Sequence, residues 1–506
     1  HEALLLKPRL HPYQYRKPLK VILDENFQSL NIFLLRKKKI SIRRIDFQIT
    51  KQGLALSKVF QRPFALTTTL RACLRYVDSA NFKASDLEML KKLVFHLKFL
   101  RRCQISITKP NLERHTYKDV WFMRYAINPK IERLSLIFDH VPLFTRKFMI
   151  ALRKKENLKY FELNFKYSKY VFLDFLVLFE YVQNMKRLNH FKLKPLIIGD
   201  RETPGNVEIP FHKLKELKSM KIFCPNLFYQ LSTYQSLFKG IVECSGLQSL
   251  SMDLEGSLAL TGAVLKEIGG ILGRLKSVSS LRISFKANGE EIPNEFFYGL
   301  QDISLKTLIL SFTKMKLRSI GLRLLGTAII ASQHLHKLGL SFSEMEVQGS
   351  IFETLSVSIA KLTELRDVRL SHPILYEETS VSPYQNLNKI LPVQHLELEI
   401  FINWKAEERL GHLIELIEKQ KKLVYLMMNL NSTSMHSRYS ADISACEAIF
   451  KAIGKLERLK FLSMTVGKFR KNSTNRRLFL LDDILERLQK LKWLQLKLYG
   501  EYLDEV

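Results

Sequence analysis

Several features are scarce in this chain of 506 residues, and each shortage closes a line of explanation. Cysteine is one. Cys73, Cys103, Cys224, Cys244 and Cys446 are odd in number, far apart and form no CxxC pair. Neither a disulfide framework nor a zinc knuckle is supported, and a reducing compartment fits. Long apolar runs are also missing. The most apolar helical stretch, Tyr170 to Val182, has 13 residues and carries Asp174 and Glu180. A spanning helix needs about 20 apolar residues, so this stretch reads as an amphipathic helix facing a core.

Catalytic signatures are absent as well. There is no G-x-x-x-x-G-K-[ST] phosphate loop, no H-E-x-x-H pair and no G-x-S-x-G elbow around Ser249, Ser251, Ser279 or Ser280. The glycines of Gly269 to Gly273 (GGILG) lack the phosphate-binding Lys, and they read as easing a helix past its neighbour. The 13 histidines are scattered. His336 and His395 fall on predicted strands, three or more repeats from a second candidate ligand, so no metal is expected. Glu397 and Glu399 share one strand face, where carboxylates of a repeat scaffold meet water or a basic partner. The chain reads as no enzyme, with no cofactor and no small-molecule substrate.

Acidic residues are the last shortage: 49 Asp plus Glu face 80 Lys plus Arg, a formal charge of +31. The imbalance is local. Residues 1–200 hold 40 basic and 16 acidic side chains, and residues 201–506 hold 40 and 33. Such asymmetry points to a localised anionic partner, nucleic acid or an anionic membrane surface, more than to general solubility.

What the chain has in abundance is one pattern. Apolar residues spaced L-x-x-L-x-L recur as Ile131, Leu134, Leu136; Leu158, Phe161, Leu163; Leu188, Phe191, Leu193; and Leu217, Met220, Ile222. They continue as Leu247, Leu250, Met252; Val278, Leu281, Ile283; Leu305, Leu308, Leu310; and Leu335, Leu338, Leu340. Five more copies begin at Leu365, Val393, Leu423, Leu459 and Leu491, and successive starts lie 27 to 36 residues apart. The second and third apolar positions alternate, which gives a short strand with one buried face. Phe285, Phe312, Phe342 and Leu498 extend it by two residues. The remaining stretch holds helical spacing, as at Leu322, Leu325, Ala328 and Ile329. One strand–helix unit cannot bury its own apolar face, but stacked units share a core.

On these motifs residues 100–506 resemble the leucine-rich-repeat family, in its long-repeat, ribonuclease-inhibitor-like branch. The resemblance implies an α/β leucine-rich-repeat solenoid with a curved parallel sheet inside and helices outside, roughly 13–15 repeats of about 30 residues. It also implies a binding or scaffolding role. The Asn expected five residues after the second Leu is replaced by Asp139, Lys166, Leu196, Pro225 and Glu255, with Asn431 the exception. The turns must therefore satisfy their backbone groups by other means.

Upstream the pattern weakens. Leu100, Cys103 and Ile105 form one copy and Ile42, Ile45 and Phe47 another. Their starts lie two repeat lengths apart, so a degenerate or purely helical unit is expected between them. Its helix would run from Ser85 to Leu100, with Ser85 and Glu88 as a capping box. The partition expected is a basic, Pro-containing arm over 1–40, degenerate repeats or a cap over 41–130, and the solenoid over 131–506. The chain opens on His1, so it is either a fragment or a mature form whose leader was removed. Nothing in residues 1–30 resembles a signal or transit peptide.

Two sets of residues are candidates for binding. Lys7, Arg9, Arg16, Lys17 and Lys20 lie on the arm, and Arg36, Lys37, Lys38, Lys39, Arg43 and Arg44 lie beside the first strand. These are the expected RNA contacts. The variable positions of fourteen L-x-x-L-x-L-x copies, 56 in all, include sixteen basic and six acidic residues, a stronger bias than the whole chain shows. Arg101, Arg102, Arg133, Lys159, Lys192, Lys194, Lys218 and Lys221 are the basic residues expected on the concave face. Tyr13, Tyr15, Tyr160 and Trp493 interleave with basic residues and could stack on bases.

The leading expectation is a non-catalytic structural subunit of a large ribonucleoprotein, an organellar (mitochondrial) ribosome above others, contacting rRNA and neighbouring proteins from the matrix. The alternatives are a protein–protein adaptor with its ligand on the concave face, in the cytoplasm or elsewhere, and a peripheral subunit of an organellar membrane complex.

Overall fold

The computed structural model describes residues 19–23, 42–49, 69–75, 100–108, 130–139, 155–166, 169–170, 178–194, 197–198, 211–223, 231–255, 260–287, 289–345, 349–371, 392–402, 407–432, 443–469 and 486–500. Two compact units divide the chain, 1–221 and 222–506.

In the first unit the described strands are β1 (Leu19–Leu23), β2 (Ile42–Ile49), β3 (Thr69–Arg75), β4 (Arg102–Thr108), β5 (Arg133–Asp139), β6 (Tyr160–Lys166), β7 (Lys169–Tyr170), β8 (His190–Lys194) and β9 (Ile197–Ile198). β1 to β6 and β8 pair in sequence order, all parallel, and β7 pairs with β9 beside them. Strand β10 (Ser219–Phe223) contains the division between units. The second unit carries β11 (Ser249–Glu255), β12 (Ser280–Lys286), β13 (Thr307–Thr313), β14 (Lys337–Ser343), β15 (Asp367–Ser371), β16 (His395–Ile402), β17 (Tyr425–Ser432), β18 (Phe461–Phe469) and β19 (Trp493–Gly500). Each pairs in parallel with the next. All thirteen copies of the motif therefore carry a strand. Between these strands lie helices α1 (Leu231–Val242), α2 (Gly262–Leu272), α3 (Asn294–Gln301), α4 (Ser319–Ala331), α5 (Gly349–Ala360), α6 (Glu407–Lys419) and α7 (Ile443–Gly454).

Register explains why the motif is spaced as it is. Leu281, Leu308 and Leu338 are cross-strand partners, as are Ile283, Leu310 and Leu340, and all six are buried. Phe285, Phe312 and Phe342 form a third interior column with stacked rings, 5.6 and 5.9 Å between centroids. Phe296 of α3 meets Phe285 edge-on at 5.3 Å. The predicted helical positions Leu322, Leu325, Ala328 and Ile329 are buried on α4. Burying a side chain of this size stabilises by roughly 1.5–3 kcal/mol, so the columns dominate the fold's energetics.

The connections are held repeat to repeat. Two successive N–H groups donate to one carbonyl of the preceding repeat: Glu132 and Arg133 to Arg101, Lys306 and Thr307 to Ser279, Lys460 and Phe461 to Val424. After the strands, in the absence of the Asn ladder, the turns use one another. The Lys314 N–H donates to the Ser343 carbonyl at 3.1 Å and the Gly289 N–H to the Lys314 carbonyl at 2.8 Å. Lys314 and Glu344 adopt φ of 56° and 53° at equivalent turns and pair through their charges at 3.1 Å. At these described turns the backbone is thus satisfied by other means.

The glycines of GGILG serve the packing that was read for them at one position. A Cβ on Gly269 would come within 2.3 Å of the Glu295 carbonyl oxygen, and one on Gly299 within 1.9 Å of the Gly269 oxygen. Helices α2 and α3 therefore touch backbone to backbone. Gly270, by contrast, faces open space.

Of the two alternatives for the gap between Ile42 and Leu100, the structure holds the degenerate one: β3 lies there, paired on both sides, so the unit is not purely helical. Its motif escapes the pattern because Thr67 and Ala72 stand where Leu would. Two other expectations need correction. Lys20, assigned to the extended arm, stands on β1, which pairs with β2: the run Val21-Ile22-Leu23 is β-branched and aliphatic enough to join the sheet. Tyr170, read as the start of a helix, is a strand residue, while residues 178–182 are helical with Leu178, Phe179 and Val182 buried. Lys7, Arg9, Arg16, Lys17, Arg36, Lys37, Lys38, Lys39, Tyr13, Tyr15 and the Ser85 capping box lie outside the described residues.

Candidate binding surface on the sheet face

The residues between the buried columns form the exposed face of the sheet, and register determines which of them meet. In the first unit Arg102 lies opposite Arg133, Arg133 opposite Tyr160 and Tyr160 opposite His190. Lys218 joins at the next repeat, its N–H bound to the Asn189 carbonyl at 2.9 Å. Arg101, Arg102, Arg133, Lys159, Lys218 and Lys221 are exposed, and Lys192 and Lys194 are half-buried.

Acidic neighbours neutralise only part of this row. Glu132 lies 3.4 Å from Lys159 and 4.0 Å from Arg101. Glu162 accepts from Lys192 at 2.6 Å, from Ser135 at 2.8 Å and from Tyr160 at 3.1 Å. Burial alone would raise the Glu162 carboxyl, but the hydrogen bonds from Lys192 and Ser135 outweigh it and hold the group below the usual carboxylate range. Burial and Glu162 together push the Tyr160 phenol up to about 12. Arg102, Arg133, Lys218 and Lys221 form no ion pair among the described residues. Burial, reinforced by the charges of Arg133 and Lys218, holds His190 below the ordinary imidazole range. Like charges on facing strand positions are destabilising, so a row of this kind gains from an anion laid across it.

The second unit treats its charges differently. Asp367 pairs with Lys337 and lies 3.3 Å from Arg369, whose other nitrogen reaches Glu397 at 3.2 Å. Glu399 accepts from Ser371 at 2.8 Å and from Asn429 at 3.3 Å. Glu397 thus meets a basic partner, as read from the strand pattern. His336 is not remote from other candidate ligands as expected. Its Nε2 lies 3.1 Å from one oxygen of Glu364, and Nδ1 of His334 lies 3.2 Å from the other. Glu364 follows one repeat later in sequence and is brought alongside only by strand pairing. Among the described residues, no group of three or more His, Cys, Asp or Glu side chains is arranged to hold a metal. Burial pushes the Cys103 and Cys244 thiols up to about 12, where they are poor nucleophiles.

Sequence reasoning missed a second surface. His395, Tyr425, Phe461 and Trp493 are cross-strand partners on β16 to β19. The sequence pattern marks Trp493 as a stacking residue and His395 only as an isolated strand histidine, although all four stand two residues after the first apolar residue of their repeats. Among the described residues no helix is long and apolar enough to cross a membrane.

Parallel strands at a repeat of about 30 residues, interior leucine and phenylalanine columns, and helices on the connections define a leucine-rich-repeat solenoid. No family model matches the sequence, and no curated protein matches it. Among solved structures, one similar chain comes from a crystal structure of a TLR13–ssRNA13 complex, at 12% identity and a TM-score of 0.39, covering 90% of this chain. This chain spans 59% of that chain's length.

Proposed function

We propose that this solenoid is a non-catalytic scaffold that holds RNA against the basic sheet face of its first unit, as a structural subunit of a large ribonucleoprotein. The observation that carries this reading is the row Arg102, Arg133 and Lys218, three cations without acidic partners among the described residues, with Tyr160 and His190 on the strands between Arg133 and Lys218. RNA suits it better than a small anion because the row runs across successive strands. At about 4.8 Å per strand, the four steps from β4 through β5, β6 and β8 to β10 extend over roughly 19 Å, long enough for several phosphates. Tyr160 and His190, with ring centroids 6.2 Å apart, add planar groups beside the charges. We place the assembly in the mitochondrial matrix, as an organellar ribosome, on the basic N-terminal composition alone.

The test is binding of a single-stranded oligo(U) RNA to the full chain across a salt series. Apparent affinity should fall with a log–log slope of about −0.7 per phosphate contact. Reversal of Arg102, Arg133, Lys218 and Lys221 to Glu should flatten that slope by about two to three while leaving the melting temperature nearly unchanged, since exposed unpaired charges add little to stability. An unaltered slope would sink the reading. A further variant lacking residues 1–18 measures the arm's share; the cut stops before β1. Sedimentation from mitochondrial extracts with and without ribonuclease tests the assembly and its compartment.

A further inference from the structure

The second unit presents a surface of another kind. Its first-exposed strand column is polar through β12 to β15, as Ser280, Thr307, Lys337 and Asp367, and then becomes aromatic or imidazole at His395, Tyr425, Phe461 and Trp493. Among the described residues Phe461 and Trp493, 38% and 44% exposed, are two of the few large apolar side chains so open to water. Four neighbouring strands put about 14 Å between the first and last ring, the length of four to five extended residues.

We propose that this row is a docking surface for a protein segment that presents apolar side chains beside acidic ones. The ring geometry selects that occupant over a nucleic acid. His395 and Tyr425 stack at 5.8 Å and 15°, and Tyr425 and Phe461 meet at 6.2 Å and 36°. The near-parallel His395 and Tyr425 spend faces on one another, unlike the tilted Tyr160 and His190 of the first unit, whereas successive nucleobases need free faces to stack upon. Ring edges and the adjoining Met427, whose sulfur lies 3.7 Å from the Tyr425 hydroxyl, suit aliphatic and aromatic side chains instead. Charge selects the flanks. Lys460 and Lys492 immediately precede Phe461 and Trp493 and form no ion pair among the described residues. The nearby carboxylates Glu397 and Glu399 are already engaged by Arg369, Ser371 and Asn429. The unspent charge beside the row is therefore positive, and an acidic flank complements it. An exposed Trp and a half-buried Tyr supply the kind of side chains that commonly dominate interface energies.

The probe is a display library of random dodecapeptides selected on the full chain, followed by fluorescence anisotropy with the enriched peptide. Enriched sequences should combine two or more of Trp, Phe, Leu or Ile with Asp or Glu. The double variant F461S/W493S should weaken the enriched peptide by about tenfold or more, as expected for a pair of central anchors. Because those rings are partly buried, K460E/K492E provides the second arm. It leaves the rings in place, keeps the melting temperature, and should turn the selected flanks from acidic to basic. The proposal is overturned if no sequence enriches on the wild type over F461S/W493S, or if enriched peptides ignore both double variants. It is equally overturned if oligo(U) RNA loses affinity on F461S/W493S, which makes the occupant a nucleic acid. A concentration-dependent dimer abolished by the same change would make it a second copy of this chain and overturn it too.

Discussion

Residues 1–221 and residues 222–506 are built from the same repeat, with the same buried columns, and yet they differ in how they handle charge. The first holds 45 Lys plus Arg against 19 Asp plus Glu; the second holds 35 against 30. On the first unit's sheet face Arg102, Arg133, Lys218 and Lys221 form no ion pair among the described residues. On the second, Lys337 and Arg369 close on Asp367 and Glu397, while Arg282, Lys460 and Lys492 form no ion pair among the described residues. The core of a repeat scaffold is constrained by packing, whereas its exposed strand positions are free to carry whatever a partner requires. Two chemistries can therefore be written on one architecture: a basic row on one unit, an aromatic row on the other.

The comparison predicts that core damage is alike in both units. Leu136→Asp and Leu308→Asp each place a carboxylate in a column that is at most 1% exposed. Each should cost on the order of 4 kcal/mol or more, read by urea unfolding. Wild-type stability for either variant would mean that its strand register is wrong. A smaller effect separates the units' described packing. Gly299→Val pushes a side chain into the α2 backbone and should cost about 1–3 kcal/mol. Gly270→Ala, one residue from the contact at Gly269 but facing open space, should be neutral or stabilise by up to about 1 kcal/mol through helix propensity. Equal effects would show that the α2–α3 contact is not close.

The smallest effect concerns the basic row. His190 is held below the ordinary imidazole value of about 6.5 by burial, with Arg133 and Lys218 opposing its protonation. RNA phosphates laid against those two cations would offset their repulsion and raise the His190 pKa, so the complex takes up a proton. Affinity for oligo(U) should then rise a few-fold as pH falls through about 6.5, and His190→Asn should remove that rise. Without RNA the sign reverses for stability: the unfolded chain binds the proton more readily, so the free fold loses stability as pH drops below that value. The second unit's aromatic row carries His395, and its enriched peptide should show no matching dependence on His190.

Much of the fold was legible because an L-x-x-L-x-L repeat states both its strand and its buried face. Leu308 and Leu338 could be placed as neighbours from spacing alone, and they are partners in the structure. β3 was not legible, since Thr67 and Ala72 interrupt the motif and only pairing with β2 and β4 reveals the strand. β1 was hidden by the prolines and basic residues around it. Of the first unit's face, the basic residues could be named individually. Which of them stay unmatched could not, because Glu132 and Glu162 find their cations on adjoining repeats.

What the sequence by itself determined is the period of the repeat, the identity of the interior columns and the concentration of positive charge toward the N-terminus, since each is a property of spacing or count. Tertiary structure decided the rest: that Glu162 closes on Lys192, that Gly269 meets Gly299, and that His395, Tyr425, Phe461 and Trp493 form one row. The physical reason is common to all three. Side chains about 30 residues apart become neighbours only when parallel strands align at about 4.8 Å, so their pairing depends on register and not on local sequence.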